Sequence, residues 1–174
     1  MTTGLGLNAA AALLIAFNFY CDQKAELAAG QVMDALKQQI EIPAPTEYYA
    51  VSPDTQAITP MAETVQEPLA YADETAYLGV LQIPSLGLTL PVQANYSKSG
   101  LKTAPCRYQG TIADKNLIIA AHNYPSHFGT LRQLVGGDIV CLPDPTDTTY
   151  VYQVTDVLLL DGTATEEMTA GDWD

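Results

Sequence analysis

The stretch NLIIAAHNYPSHFGTLRQL, from Asn116 to Leu134, decides how the rest of the chain is interpreted. It begins with an apolar run of strand length and then breaks at His122 into a polar loop that also contains His127. These are the only two histidines in the sequence. Loops at strand ends are where scaffolds usually present reactive groups. His122 can therefore be a general acid or base, a metal ligand, or a polar group satisfied at the rim of a sheet.

Composition bounds the class of protein. A chain of 174 residues with 48% hydrophobic residues has room for one ordinary domain with a real core, plus a tail. Seven basic side chains against twenty acidic ones give a formal charge of −13. Such a surface repels phosphate backbones and anionic lipid headgroups, so we expect no nucleic-acid partner.

Cysteines and arginines are few. The three cysteines, Cys21, Cys106 and Cys141, are too scattered for a disulfide framework or a paired zinc site. Cys106 follows a proline and precedes a cation, so it is either a reactive thiol or a small hydrophobic residue at a strand start. Arg107 and Arg132 can each stabilise an oxyanion or serve as a surface charge. We expect no metal and no cofactor, because no third ligand lies near the two histidines in sequence.

Four regions follow one another along the chain. Residues 1–23 are predicted to form a signal anchor, since Leu5 to Tyr20 carries no charge, although this run is a little short for a bilayer crossing. Residues 24–40 have the apolar spacing of an amphipathic helix. Residues 41–75 are rich in Pro, Thr and acidic residues and are predicted to be a linker. Residues 76–174 form the main domain.

Short strands separated by turn residues predict an all-β sandwich or barrel for this domain. A hairpin is expected around Pro84 to Gly87, and Asn116 to Ala121 is expected to be a buried strand. The remaining predicted strands include one that continues through an apolar run to Leu160. The predicted strands are Tyr77 to Ile83, Leu88 to Val92, Asn116 to Ala121, Asp138 to Leu142 and Thr149 to Leu160.

The chain resembles the sortase family over roughly Ala76 to its end. The resemblance is carried by an Ile-Pro-x-Leu segment, an apolar strand ending in His-Asn, a following Phe-Gly-x-Leu and a Gly-Asp strand, in that order. The blocks are GVLQIPSLGLTLPV (Gly79 to Val92), LKTAPCRYQGT (Leu101 to Thr111), KNLIIAAHNYPSHFGTLRQL (Lys115 to Leu134), GDIV (Gly137 to Val140) and TYVYQVTDV (Thr149 to Val157).

The resemblance implies a closed eight-stranded β-barrel and a cysteine transpeptidase. A thiolate would attack an LPXTG-like sorting signal of a surface protein, and an amine from a cell-wall precursor or a pilin would accept the acyl group. His122 would be the general acid and base, whereas His127 matches no catalytic position. The N-terminal region fits a single-pass anchor with an extracellular catalytic domain on a Gram-positive type cell surface. The anchor and helix are reminiscent of class B.

The sequence departs from the family at two positions. The family cysteine lies in a Thr-Leu-x-Thr-Cys block on the seventh strand and the arginine on the eighth, and neither block is present. Glu166 to Asp174 resembles the lead-in to the seventh strand, so we expect an incomplete chain that is inactive and poorly folded. Two alternatives stay open: a non-catalytic surface β-domain that binds a protein partner along its open edge, and a papain-like hydrolase using Cys106 and His122.

Overall fold

A computed structural model describes residues 2–44 and 67–161. Of the predicted linker, residues 41–75, the part from 45 to 66 lies outside the described residues, whereas residues 70–72 and 75 are in strands, so the linker prediction is wrong there. The predicted lead-in to a seventh strand, residues 166–174, lies outside the described residues. One helix, α1 (Thr2–Leu36), precedes seven strands. The strands are β1 (Ala70–Ala72), β2 (Thr75–Ile83), β3 (Leu88–Gln93), β4 (Cys106–Gln109), β5 (Ile118–Ala120), β6 (Ile139–Pro143) and β7 (Thr149–Gln153).

The strands form one mostly antiparallel sheet in the order β5-β4-β3-β2-β6-β7, with β1 also paired to β2. β3 and β4 are the parallel pair, joined at Gln93 and Cys106. The sheet path ends at β5 and β7, and within residues 67–161 these two strands do not pair with each other. The predicted β class is confirmed, whereas the closed eight-stranded barrel is not present in this part of the chain.

Strand β2 pairs with three other strands, β1, β3 and β6, and its last seven residues are all buried. It pairs with β3 from Ile83 and Leu88 outward, as the hairpin prediction requires. The connection is a short 3-10 turn that ends at Gly87, whose φ of 63° is a left-handed conformation that glycine adopts without strain. On the other side of β2, Gly79 lets the carbonyl of Pro143 in β6 approach closely, because a Cβ at this position would collide with it.

Helix α1 packs against the start of the sheet through its C-terminal half. Ala25, Ala29, Met33 and Leu36 recur at helical spacing and are all buried. Met33 and Leu36 join Ile40 in a hydrophobic cluster with residues of β1 and β2, namely Ala70, Ala72, Tyr77 and Val80. The predicted amphipathic helix is therefore a packing element, and it is continuous with the segment before it.

The N-terminal half of α1 is exposed on all sides from residue 10 to residue 20. Large apolar side chains there include Leu13, Leu14, Ile15, Phe17, Phe19 and Tyr20. Within the described residues, none of the helical structure is both long enough and apolar enough to span a lipid bilayer.

Two strand predictions differ from the structure. β5 is shorter than expected and only partly buried. β7 ends at Gln153, and the residues that follow form no strand; Val154 is partly buried, whereas Val157 to Leu160 are exposed. Alternation and hydrophobicity predicted a strand there, but a strand also needs a neighbour for its backbone hydrogen bonds. No other strand of the described chain lies beside this segment.

Candidate active site

The polar loop that follows β5, residues 122–129, is here called the histidine loop. Its backbone closes on itself: Phe128 N donates to the His122 carbonyl at 3.1 Å, and Gly129 N donates to the Tyr124 carbonyl at 2.8 Å. A Cβ at Gly129 would lie only 2.8 Å from the Tyr124 carbonyl oxygen, so the turn requires glycine. The loop is therefore a compact unit that fixes where His122 emerges from the sheet.

Three rings lie in a row within this loop. The imidazole of His122 stacks on Tyr124 with 4.7 Å between ring centroids and 26° between planes. Tyr124 in turn contacts His127 at 5.7 Å with a tilt of 55°. His122 is partly exposed, and no side-chain hydrogen bond engages it within the described residues. Nothing in the described part of the chain therefore occupies its ring nitrogens.

His127 has a different environment, because its side chain is completely buried. Neither ring nitrogen has a hydrogen-bond partner of good geometry among the described residues. Burial lowers the pKa of His127, and the neighbouring His122 lowers it further, while the Asp22 carboxylate and the nearby Thr103 backbone oppose both. His127 is therefore neutral near pH 7 and packs beneath Tyr124. The expectation that it has no catalytic role stays a prediction.

Ser126 connects the histidine loop to helix α1. The Oδ1 atom of Asp22 accepts a hydrogen bond from Ser126 N at 3.0 Å and another from Ser126 Oγ at 2.5 Å. Sequence reasoning did not single out either residue. The two positions are 104 residues apart, and an isolated aspartate or serine carries no pattern that would have paired them.

Both cysteines in the sheet are unsuited to nucleophilic attack in this conformation. Cys106 is fully buried, and its Sγ donates to the Ala104 carbonyl at 3.5 Å. Burial raises the pKa of the Cys106 thiol, and it raises the pKa of Cys141 to about 11. The thiolate is the reactive form, so both groups are held in the inert state. Within the described chain, no hydrogen bond joins Cys106 to His122, which removes the contact that a papain-like site requires.

The two arginines are placed differently. Arg107 is half-buried, forms an ion pair with Glu67, and donates from Nε to the Ala94 carbonyl at 2.8 Å. Glu67 also accepts from Ile112 N at 3.4 Å. Arg107 therefore holds Glu67, which precedes β1, against strand β4. Arg132 is exposed in the 3-10 turn after the histidine loop.

Solved structures with a similar fold include three streptococcal sortases. Sortase C1 from Streptococcus suis is 26% identical, with 51% of this chain and 54% of that chain covered and a TM-score of 0.45. Sortase C1 from Streptococcus agalactiae is 20% identical over 84% and 72%, with a TM-score of 0.48. Sortase C from Streptococcus pneumoniae is 19% identical over 85% and 72%, with a TM-score of 0.46.

The aligned part covers about half the length of some of these proteins, such as 54% of the S. suis enzyme and 52% of sortase C from Clostridium perfringens. No curated protein matches the chain. The family comparison is direct: the sortase domain matches residues 81–171, just over half of the chain and inclusive of the whole histidine loop. This protein belongs to the sortase family.

Proposed function

We propose that the protein acts as a sortase-type cysteine transpeptidase in which His122 is the general acid and base. One observation carries the assignment to this residue. His122 stands just past the end of β5, partly exposed, with both ring nitrogens free, whereas His127 is buried and neutral. Of the two histidines, only His122 can reach a bound substrate in this conformation.

The chemistry has two proton transfers. A thiolate attacks the carbonyl carbon of the scissile peptide bond, and the bond to the leaving amine breaks as a thioester forms. His122 gives its proton to the leaving amine. It then takes a proton from the incoming amine, which attacks the thioester carbonyl, forms a new amide bond and releases the thiolate, so that the starting protonation states are restored. The stacked Tyr124 limits rotation of the imidazole and so keeps the nitrogen that carries the proton aimed at the same point.

The substrates we propose are an LPXTG-like sorting signal and an amine from a cell-wall precursor or a pilin subunit. Support comes from membership of the sortase family. We further propose that residues 1–23 attach the protein to the cell membrane, with the sheet outside the cell. The exposed apolar side chains between Leu13 and Tyr20 support this attachment.

We assign the nucleophile to none of the three cysteines. Cys106 and Cys141 are buried thiols with raised pKa values, and Cys21 lies on helix α1, outside any strand. Residues 1–174 by themselves are therefore proposed to lack transpeptidase activity. The oxyanion role is likewise assigned neither to Arg107, which is engaged with Glu67, nor to Arg132.

The test measures cleavage of a quenched fluorescent LPXTG-type peptide, with an added amine acceptor, by the protein expressed from its own gene. His122→Ala is expected to reduce kcat by about 10²–10⁴-fold, the usual contribution of a general acid or base. The control is Lys98→Ala, which removes an exposed cation outside the histidine loop sequence and should leave the rate unchanged. Full activity in His122→Ala would refute the assigned role. Cleavage by no form of the protein would favour the non-catalytic surface domain.

A further inference from the structure

The histidine loop rests on helix α1 as well as on the sheet that carries it. Ser126 is the point of contact, and both its backbone N–H and its hydroxyl donate to one carboxylate oxygen of Asp22, at 3.0 and 2.5 Å. The hydroxyl oxygen also lies 3.5 Å from the Asp22 backbone carbonyl, at the limit of a hydrogen bond. A hydroxyl has a single proton, and the shorter distance shows that the carboxylate receives it.

These bonds are of the strong kind. Their acceptor is a carboxylate oxygen, and charge-assisted hydrogen bonds are shorter and roughly twice as strong as neutral ones. Ser126 and Asp22 are both partly buried, so water competes for the bonds less than it does at an open surface. The Asp22 carboxylate also faces His127 and opposes the fall in pKa that burial imposes on that ring. Asp22 therefore interacts with the loop twice, through its hydrogen bonds to Ser126 and through its charge near His127.

The contact is transmitted to His122 through a short path. Ser126 precedes His127, whose backbone N–H donates to the Tyr124 carbonyl at 2.9 Å, and Tyr124 is the ring on which His122 stacks. Gly129 closes the same turn onto Tyr124 with no space for a side chain. A displacement of Ser126 therefore moves the Tyr124 ring on which the His122 imidazole stacks.

We propose that Asp22 of helix α1 is a positioning residue, which holds Ser126 and thereby keeps Tyr124 and the His122 imidazole in their stacked arrangement. The inference deepens the proposed function and rests on it for the meaning of the His122 orientation. It makes the helix part of the site, even though no residue of the helix touches the reacting atoms. Loss of the Asp22 carboxylate leaves the backbone at His122 unchanged but lets the imidazole ring change orientation.

The experiment is NMR on the full chain with Asp22→Ala, Asp22→Asn, Ser126→Ala and Ser126→Thr. Two signals are read: hydrogen exchange of the Ser126 amide, and the ring-current shift of the His122 side-chain protons caused by Tyr124. Asp22→Ala should speed Ser126 amide exchange by roughly tenfold or more, as loss of a charge-assisted bond implies. It should also move the His122 resonances toward unstacked values.

The other variants separate orientation from stability. Ser126→Ala keeps the hydrogen bond from the backbone N–H of residue 126 to Asp22, so it should shift the His122 resonances less than Asp22→Ala does. Ser126→Thr retains the hydroxyl and should give the wild-type spectrum. Asp22→Asn keeps an acceptor oxygen and should fall between wild type and Asp22→Ala. The matched control is Asp34→Asn, an exposed carboxylate of the same helix that pairs with Lys37 and should leave both signals unchanged.

Should Asp22→Ala fail to fold, the Ser126 pair supplies the same comparison. Unchanged His122 resonances in both Asp22→Ala and Ser126→Ala would overturn the inference, and so would a shift in Asp34→Asn of the same size. None of these signals needs turnover. If the protein expressed from its own gene cleaves no peptide while the expected shifts are seen, the proposed function alone is contradicted, whereas cleavage without the shifts would contradict the positioning role alone.

Discussion

His127 shows how one buried side chain shapes the pH response of the protein. Its ring is completely buried, and neither nitrogen has a hydrogen-bond partner of good geometry within the described residues. Burial lowers its pKa below the ordinary value, so the folded state binds this proton less readily than the unfolded state does. The contribution of neutral His127 to the free energy of unfolding is therefore fully present above the unfolded pKa of about 6.5. It is lost as the pH falls toward the folded pKa.

His127→Phe is expected to flatten this response. The phenyl ring removes the two unsatisfied nitrogens but is larger than imidazole, so these effects oppose each other and the free energy of unfolding at pH 7.5 should change by no more than about 1 kcal/mol. The melting temperature of the wild type should fall between pH 7.5 and pH 5.5, and that of the variant should fall less. Thermal melts across this range, followed by circular dichroism, provide the measurement. Parallel pH curves for the two proteins would show that His127 does not titrate as inferred.

Residues within one block of sequence were easier to predict than residues brought together by folding. His122 stood out because the apolar strand before it and the loop after it are adjacent in the chain, and the structure places it at that strand end. Asp22 and Ser126 could not be found in the same way. Their contact depends on helix α1 docking beside the loop, and no local pattern encodes that event.

At the scale of elements, helix α1 is held to the sheet by a small set of buried side chains. Leu36 is 0% exposed and lies in the cluster with Tyr77 and Val80, whereas Leu27 on the same helix is 70% exposed. Leu36→Ala should therefore lower the free energy of unfolding by about 2–4 kcal/mol through lost burial and a residual cavity. Urea denaturation of the full chain measures this loss.

Leu27→Ala is the matched control for this prediction. The same chemical change at an exposed position of the same helix should alter the free energy of unfolding by no more than about 0.5 kcal/mol. Small effects of both substitutions would mean that α1 does not pack through the Leu36 face. A large effect at both positions would instead indicate that the exposed side of the helix is covered in solution.

The sequence predicted some elements well and others poorly, for identifiable reasons. The β2–β3 hairpin was predictable because Pro84 and Gly87 fix the turn and the flanking residues have strand character. The apolar residues after Gln153 were predicted as strand and form none, and Val157 to Leu160 are exposed. The hydrophobicity of a segment indicates that burial would be favourable. Whether another strand lies beside the segment to bury it depends on the tertiary structure, which the local sequence does not specify.

On the scale of the whole molecule, charge limits how the protein can meet a membrane. The formal charge of −13 repels anionic headgroups, so the acidic domain surface gives no electrostatic attraction to them. Any attachment must come from apolar contact, and the exposed side chains from Leu13 to Tyr20 are the candidates. Binding of that kind is insensitive to salt, in contrast to binding through basic patches.

Membrane fractionation tests this proposal. The full chain should sediment with membranes and resist washing with 1 M salt, at which the Debye length is only about 3 Å. A variant lacking residues 1–23 should move to the supernatant. Release of the full chain by salt would point to an electrostatic contact, and a soluble full chain would contradict attachment through this segment.

The cluster that joins α1 to the sheet has a consequence for the order of events during synthesis. All its members, including the partly buried ones, lie between Val32 and Val80, so every one of them is translated before the histidine loop. Because chains fold from the N-terminus as they emerge, the helix can dock on β1 and β2 while residues 122–129 are still inside the ribosome. The histidine loop then forms its hydrogen bonds to an Asp22 whose position is already fixed by the docked helix. The helix side of the site is therefore formed before the loop side.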